Sequence, residues 1–217
     1  CADNGGCPFE RTKGRNLPPW DPNSYWTYDA SWAQASNTPF RLYKQNQHEG
    51  GISSPLIVHW PSGLKTKAGS ITRQPSHLID FMATFLELGK AKYPEKIGKR
   101  TMDPLEGRSL VPIFKGNQRE GHDSLYFHFG TDRALRKGKW KLVSAKGGKW
   151  ELYNLEDDRT ELNDLSTKFP LLVEEMSKEW FKIAKNKERL KPQALKPVKP
   201  GIKSLSFRKD TSSQMID

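Results

Sequence analysis

Asp3 and Asn4 are the first residues whose types and spacing could do chemistry. A carboxylate and an amide oxygen are both hard donors, and Ca²⁺ and Mg²⁺ prefer such ligands. Gly5-Gly6 follows at once and lets the chain turn directly after the two side chains. On the local sequence alone, a turn that holds no metal explains the same four residues better, because Asp, Asn and Gly favour turns for conformational reasons alone.

The second candidate is Lys44, whose ammonium group could hold an anionic substrate. It lies in a polar stretch that ends at Gly50-Gly51, and these glycines could adopt positive φ and turn the backbone tightly. The apolar residues that follow, Leu56–Val58, are mostly β-branched and predict a buried strand. Polar loops that enter buried strands often carry the chemistry of α/β folds. Most lysines are nevertheless solvated, so residue type alone does not assign this one.

The order and spacing of the two stretches resemble those of the sulfatases, specifically the arylsulfatase A-like branch that uses formylglycine. Ala2-Asp-Asn-Gly-Gly6 is similar to the family's Asp-Asn-Gly metal turn. Lys44 with Glu49-Gly-Gly-Ile52 and Pro55-Leu-Ile-Val-His-Trp-Pro61 is similar to its Lys…Glu-Gly-Gly…Pro block. Further similar blocks follow in the same order at 76–89, 105–116 and 151–163, and the resemblance ends near residue 186.

The resemblance implies roles for four residues. Asp3 and Asn4 would be ligands of Ca²⁺ (or Mg²⁺), a cation that polarises the sulfuryl oxygens of the substrate. Lys44 would bind the sulfate group with its compact positive charge. His48 could contact the substrate or its leaving group, but a structural hydrogen bond to the glycine turn explains this histidine at least as well.

Two departures from the family pattern matter. The family's nucleophile is a Cys in Cys-x-Pro/Ser-x-Arg that is oxidised to formylglycine. Cys7-Pro-Phe-Glu-Arg11 has the Cys and the Arg, but Phe9 stands where Pro or Ser belongs, and the motif follows the metal turn instead of preceding it. We therefore reject Cys7 and expect the nucleophile upstream of this chain. Ser53 stands where arylsulfatases often carry an Arg, so we expect a different brace for this loop.

The positive charge of the chain is concentrated near its end. The formal net charge of the 217 residues is +11. Between Lys178 and Lys209, eleven Lys and Arg residues face only Glu179 and Glu188, which leaves +9 in this stretch and an almost balanced body. A hydrophobic content of 35% suffices for a core, and no apolar run approaches the ~20 residues of a membrane span. Two cysteines are too few for a disulfide framework or a zinc site.

We predict an α/β fold: the back part of an alkaline-phosphatase-like (sulfatase) domain, plus a small C-terminal subdomain with a short antiparallel sheet and a packing helix. The first part would cover residues 1–116, with a buried strand at 56–60 and a helix from 76, capped by Ser76, to 88. It would also contain a long loop at 7–40, packed down by Trp20, Tyr25, Trp26 and Trp32. Residues 117–190 would form the subdomain, with strands at 124–129, 133–136, 139–143 and 150–154 and a helix at 170–186. Residues 191–217 would be a basic, mostly disordered tail.

The favoured function is that of the C-terminal part of a sulfatase. It would hydrolyse sulfate esters, either small aryl sulfates or sulfated glycans, with a divalent metal and a formylglycine supplied from upstream. A phosphoester or phosphonate hydrolase of the same superfamily is one alternative, and a non-catalytic fragment that binds polyanions through its basic tail is another. Specific nucleic-acid binding is not predicted, because Phe207 is the one aromatic residue beyond residue 190. The resemblance implies a periplasmic or secreted location, and we expect the isolated chain to be inactive.

Overall fold

The computed structural model describes residues 1–9, 17–18, 20–24 and 29–190. The predicted tail, together with Tyr25 and Trp26 of the predicted loop, lies outside these ranges. No helix in the described ranges is long and apolar enough to cross a membrane. The elements in chain order are α1 (Asp29–Asn37), α2 (Glu49–Ile52), α3 (Asp80–Leu88), β1 (Lys96–Ile97), β2 (Arg100–Thr101), α4 (Val111–Phe114), β3 (Leu125–Phe129), β4 (Asp132–Lys137), β5 (Trp140–Ser144), a 3₁₀ turn (Ala145–Gly147), β6 (Glu151–Asn154) and α5 (Pro170–Asn186).

The chain divides into two compact units. The first, called here the α3 unit, contains Cys1–Ala2, Pro55–Leu125 and Arg136–Lys139. The second, called the sheet unit, contains Asp3–Ser54, Tyr126–Leu135 and the described chain from Trp140. The predicted division at residues 116 and 190 stays a prediction about the complete protein.

A four-stranded sheet is the centre of the sheet unit. Its strand order is β3-β4-β5-β6, so each strand lies beside its neighbour in sequence. Gly130 and Gly138 have positive φ values of 61° and 56° in the two tight turns that join β3 to β4 and β4 to β5. β5 and β6 are antiparallel, with Lys141 opposite Tyr153 and Leu142 opposite Leu152. The four strands agree with the predicted ones to within one residue at each end.

Helix α5 covers one face of this sheet, and its bounds coincide with the predicted ones. Trp180 is fully buried there; its Nε1 donates to the carbonyl oxygen of Phe127 at 3.1 Å, and its ring stacks on Tyr126 at a centroid distance of 5.2 Å. The pairing of a buried indole N–H with a carbonyl removes the cost of burying this donor. The buried residues of the cluster are Leu135, Leu142, Leu152, Met176, Trp180 and Ala184.

The opposite face of the sheet carries a second apolar cluster (Ala134, Val143, Tyr153 and Leu155) and, beside it, a group of polar side chains. Side chains alternate between the two faces of a strand, so Lys141 on β5 and Glu151 and Tyr153 on β6 point away from α5. These three side chains form hydrogen bonds with residues of the loop at 41–53. The sheet therefore has a helix on one face and this loop on the other.

The α3 unit is held by a buried carboxylate. Asp80 is fully buried and accepts hydrogen bonds from Arg119 at 2.8 Å, His122 at 2.6 Å and the backbone N–H groups of His77 and Arg108 at 2.8 and 2.9 Å. Burial raises the pKa of Asp80, but these hydrogen bonds outweigh it and hold the pKa below its ordinary value. The carboxylate is thus ionised and fully satisfied inside the unit.

The predicted buried strand at 56–60 is wrong for this chain. The segment forms no strand, Ile57 is 85% exposed, and Leu56, Val58 and Trp60 are 38, 37 and 37% exposed. A strand needs a neighbour for its backbone hydrogen bonds, and no described segment pairs with this one. The apolar, β-branched sequence favours a strand, but it does not provide the neighbouring strand that must pair with it.

The predicted helix at 76–88 is shorter than expected. It begins at Asp80, after a turn at Leu78-Ile79, and Ser76 does not cap it. The reason is that the Asp80 carboxylate reaches back to accept from the N–H of His77, so the first helical residue itself satisfies the preceding turn. The predicted apolar face is present, but Met82 and Phe85 on it are 52 and 65% exposed.

The predicted loop at 7–40 contains a helix, α1, and the two of its tryptophans that lie in the described ranges do not pack as expected. Trp20 is 83% and Trp32 is 68% exposed. The packed residue is Ala33, which is fully buried against Gly6: a Cβ on Gly6 would lie 3.0 Å from Ala33 Cα. Close approach requires small residues on both sides, so the large rings lie elsewhere on the surface.

Candidate active site

The turn at 3–6 and the loop at 41–53 are joined by backbone hydrogen bonds. Gly5 N donates to Gly51 O at 3.0 Å, and Lys44 N donates to Gly6 O at 3.2 Å. Gly6 N also donates to the side-chain oxygen of Asn37 at 3.1 Å, which ties the turn to α1. The two stretches that the sequence singled out therefore form one backbone framework within the sheet unit.

The glycines of this framework are required by close backbone contact. A Cβ on Gly5 would lie 1.8 Å from Gly50 O, and a Cβ on Gly51 would lie 2.0 Å from Asn46 O. Gly50 and Gly51 belong to the short helix α2 and do not have positive φ. The prediction that they provide positive φ is therefore wrong, and the physical reason for glycine here is the absence of a side chain.

Two residues close to Lys44 in sequence have a strained backbone conformation. Leu42 and Gln45 have φ values of 63° and 75°, a left-handed conformation that costs a non-glycine residue about 1–3 kcal/mol. Side chains from α1 hold this backbone: Asn37 donates to Leu42 O at 2.9 Å, and Gln34 accepts from Leu42 N at 3.0 Å. The path of the chain into Lys44 is thus fixed by contacts from outside the loop.

Three polar groups on this framework lack partners among the described residues: the ammonium of Lys44, the carboxylate of Asp3 and the side-chain amide of Asn4. Lys44 is half-buried and Asp3 is exposed. Within the described ranges, no group of three or more His, Cys, Asp or Glu side chains is placed to hold a metal. Asp3 and Asn4 could therefore supply two hard oxygen donors, and Lys44 one positive charge.

His48 is fully buried and its ring faces the sheet. Its Nε2 lies 3.0 Å from Glu151 Oε2, and the same oxygen accepts from Arg41 at 3.0 Å and from Tyr153 at 2.7 Å. The hydrogen bond from His48 is the largest cause that lowers the pKa of Glu151 to about 2. An ionised carboxylate only accepts, so Nε2 carries the proton, and Nδ1 has no partner among the described residues.

Glu49 is bonded to the sheet by a buried lysine that the sequence analysis missed. Lys141 Nζ lies 2.9 Å from Glu49 Oε1 and 2.7 Å from Glu161 Oε1. The other oxygen of Glu161 accepts from the backbone N–H of Glu49 at 2.7 Å. The sequence of β5 contains one signal for such a contact. Lys141 is the one charged residue of this strand and lies on the face opposite Leu142.

The guanidinium of Arg159 holds the loop at Ser53. Arg159 NH2 donates to Ser53 Oγ at 3.1 Å and lies 3.5 Å from Glu49 Oε2, with its guanidinium 4.7 Å from the ring centroid of Phe40. The different brace expected from Ser53 is thus observed. The charge comes from a residue more than a hundred positions later in the chain.

Both cysteines are free thiols, Cys1 exposed and Cys7 half-buried. Cys7 follows the turn at 3–6 directly, and nothing in its surroundings changes its rejection as a nucleophile.

Comparison with known proteins identifies a matching family and several similar sulfatases. The family described as "N-sulphoglucosamine sulphohydrolase, C-terminal" matches residues 40–186. The chain is 34% identical over 110 residues to the steryl-sulfatase of Mus musculus, covering 51% of this chain and 16% of that protein. It is 32% identical over 167 residues to an uncharacterized sulfatase of Schizosaccharomyces pombe, covering 73% of this chain and 30% of that protein.

Among solved structures, the crystal structure of Ps i-CgsB in complex with k-i-k-neocarrahexaose superposes with a TM-score of 0.58 at 28% identity, covering 71% of this chain and 34% of that chain. The chain thus spans about a sixth to a third of the proteins that it matches. The fold class is confirmed as the back part of an alkaline-phosphatase-like α/β domain with a small sheet-and-helix subdomain. Because the family match covers more than half of the chain, the chain belongs to the sulfatase family and forms part of its C-terminal portion.

Proposed function

We propose that the complete protein is a sulfate-ester hydrolase and that Lys44, Asp3 and Asn4 belong to its active site. The observation that carries the proposal is the backbone framework that joins the turn at 3–6 to the loop at 41–53. It presents three polar side chains that have no partner among the described residues. Unpaired polar groups on a rigid backbone are typical of binding sites.

Lys44 would hold the sulfate group of the substrate. Sulfuryl transfer leaves negative charge on the non-bridging oxygens, and a compact ammonium offsets this charge best when it needs no reorganisation. The hydrogen bonds that Leu42 donates to Gln34 and accepts from Asn37 support such preorganisation, because they fix the chain two residues before Lys44. His48 would have a structural role, since its side chain is fully buried against Glu151.

Asp3 and Asn4 would hold Ca²⁺ or Mg²⁺. Their oxygens are hard donors and are unpaired among the described residues, which fits such a cation. When bound, the cation would polarise the sulfuryl oxygens. Ca²⁺ takes roughly six to eight oxygen ligands, so most of them would come from outside the described residues. The nucleophile, proposed to be a formylglycine, would likewise come from upstream sequence.

A sulfated carbohydrate is the substrate class that we propose. The matching family is described by an N-sulphoglucosamine substrate, and one structural relative was solved with a neocarrahexaose. The excess of positive charge between Lys178 and Lys209 would favour the approach of a polyanionic glycan. The steryl-sulfatase relative supports testing a smaller ester as well. We also propose a periplasmic or secreted location, as the family resemblance implies.

Lys44→Ala in the complete protein is the test. We expect kcat/KM for a sulfate ester to fall by about 10² to 10³, as for the loss of one preorganised donor. Lys44→Arg should restore little activity, because a planar guanidinium does not replace a compact ammonium. The melting temperature should stay unchanged, since the Lys44 side chain contacts no described residue by hydrogen bond or ion pair.

Lys149→Ala is the matched control, because Lys149 is an exposed lysine of the same unit and makes no ion pair with a described residue. This variant should keep kcat/KM within about twofold of wild type. Near wild-type kcat/KM in Lys44→Ala would remove Lys44 from the site. Faster turnover of a phosphate or phosphonate ester than of the matching sulfate ester would replace the sulfatase proposal by the other enzymatic alternative.

A further inference from the structure

We propose that Lys141 is a positioning residue of the active site: its buried ammonium on β5 holds the Glu49 end of the loop that carries Lys44. The catalytic consequence of this holding rests on the function proposed above. The holding itself does not, because it follows from contacts inside the sheet unit.

The contacts form a closed ring around Glu49. Lys141 is 0% exposed, and Glu49 and Glu161 are 3 and 1% exposed. The ammonium donates to Glu49 Oε1 at 2.9 Å and forms an ion pair with Glu161 Oε1 at 2.7 Å, and Glu161 Oε2 accepts from the backbone N–H of Glu49 at 2.7 Å. Glu49 is therefore held by its side chain and by its backbone at once, from a strand and a loop that lie far away in sequence.

Displacement of Glu49 would move both the turn at 3–6 and the backbone around Lys44. Glu49 is the first residue of α2, and Gly51 in the same helical turn accepts the hydrogen bond from Gly5. The next residue, Gly50, donates to Arg41 O at 2.9 Å. A displaced α2 would thus shift the turn that carries Asp3, and it would release the strained backbone around Lys44.

The charges of the cluster balance. Lys141 and Arg159 supply two cations, and Glu49 and Glu161 supply two anions. Removal of one charge from such a buried group leaves an uncompensated partner. The neutral side chain of Lys141→Met would leave two buried carboxylates next to each other without their shared cation, so the two side chains would move apart.

The α3 unit contains a matched control for a purely structural role. Arg119 and Asp80 form a buried ion pair at 2.8 Å, with side-chain exposures of 3 and 0%. Arg119→Met removes a pair of similar length and burial, but its residues belong to the other unit and not to the framework of Lys44. If Lys141 acted on stability alone, the two variants would behave alike.

The experiment compares Lys141→Met with Arg119→Met in the complete protein, below the melting temperature of both. We expect both variants to melt at lower temperature. Only Lys141→Met should speed hydrogen exchange at the backbone amides of 49–52 by about tenfold or more, and only it should lower kcat by about 10- to 100-fold. The inhibition constant of inorganic sulfate should rise in the same variant, because Lys44 is no longer held in place.

Glu161→Gln is the second variant, for the case in which Lys141→Met does not fold. It keeps the volume of the side chain and an acceptor for Glu49 N–H but removes one charge from the ring, so smaller changes of the same sign are expected. Exchange at 49–52 and kcat both within twofold of wild type would overturn the proposal, as would equal losses of kcat in Lys141→Met and Arg119→Met. Absence of sulfate-ester turnover in the wild-type protein would overturn the proposed function instead, and the exchange rates would still decide whether Lys141 holds the loop.

Discussion

Asp3 is a residue whose role can be measured apart from turnover, because metal content needs no substrate. We predict that Asp3→Ala in the complete protein lowers the bound Ca²⁺ or Mg²⁺ per chain and lowers kcat, and that added cation restores activity only in part. Metal content by mass spectrometry is the measurement. Asp103→Ala, which removes an exposed carboxylate of the α3 unit, is the control. Wild-type metal content in an inactive Asp3→Ala protein would show that Asp3 is not a ligand.

Gly5 tests whether the framework needs the close approach of its two backbones. A Cβ at Gly5 would meet Gly50 O at 1.8 Å, and a carbonyl cannot rotate away as a flexible side chain can. We predict that Gly5→Ala lowers the free energy of unfolding by about 1–3 kcal/mol and lowers kcat as the turn moves from the loop. Gly121→Ala is the control, because a Cβ there meets nothing within 4 Å. Equal melting curves for wild type and Gly5→Ala would contradict the steric argument.

The sequence predicts which groups touch substrate, and this stays a prediction, but the sequence could not identify the residues that hold those groups. The prediction grouped Asp3, Asn4 and Lys44, and in the structure backbone hydrogen bonds join the turn at 3–6 to the loop at 41–53. Lys141 and Arg159 could not be found in the same way, because their partner Glu49 lies about a hundred residues earlier in the chain. A motif records local spacing, whereas a buried ion pair depends on the whole path of the chain.

The contact between Glu151 on the sheet and the loop at 41–53 should depend on pH. The hydrogen bond from His48 is the largest cause that lowers the pKa of Glu151, from an ordinary value of 4.5 to about 2; burial opposes it, and Tyr153 and Arg41 contribute. A carboxyl whose pKa is depressed in the folded protein stabilises the fold above its unfolded pKa. It loses that contribution as the pH falls through the folded value. The relevant window is therefore pH 4.5 to about 2.

We predict that Glu151→Gln melts below wild type at neutral pH and that the difference shrinks as the pH is lowered into this window. Calorimetry of the complete protein, over the part of the window where it stays folded, measures the difference. Glu174→Gln is the control, because Glu174 pairs with Lys178 on the exposed face of α5 and such pairs contribute little. A difference between wild type and Glu151→Gln that did not change with pH would contradict the assigned ionisation.

A helix or strand was predictable where the residues that determine it lie within the element or next to it in sequence. The bounds of α5 agree because its apolar spacing and its first-turn proline both lie within the helix. The strands of the sheet agree to within one residue at each end, because each has its partner next to it in sequence. The segment at 56–60 differs, because a strand with the same apolar character has no pairing partner in the described chain. The start of α3 differs because a single carboxylate, Asp80, satisfies the turn before it.

The two units of the molecule differ in how their apolar residues are covered. Both apolar core clusters of the described residues lie in the sheet unit. Most of the large apolar side chains that remain exposed lie in the α3 unit: Leu56, Ile57, Val58, Trp60, Ile71, Leu78, Ile79, Met82, Phe85, Leu88, Ile97 and Leu105. Local stability follows buried apolar contact, so the sheet unit should be the more stable of the two.

This difference predicts a pattern of hydrogen exchange in the isolated 217-residue chain, which we also expect to be inactive. The amides of β5, β6 and α5 should be protected, because Leu142, Leu152 and Trp180 are fully buried around them. The amides of α3 should exchange within seconds to minutes, because Met82 and Phe85 on that helix are more than half exposed and its short length gives little stability of its own.

The same measurement on the complete protein supplies the control, since the chain spans only about a sixth to a third of its relatives. There the α3 amides should be protected as well, because the remaining sequence would cover the apolar face of this helix. Equal protection of α3 and β5 in the isolated chain would show that the α3 unit is stable by itself. In that case the buried carboxylate of Asp80, with its four hydrogen bonds, would be sufficient to hold the unit without an apolar core.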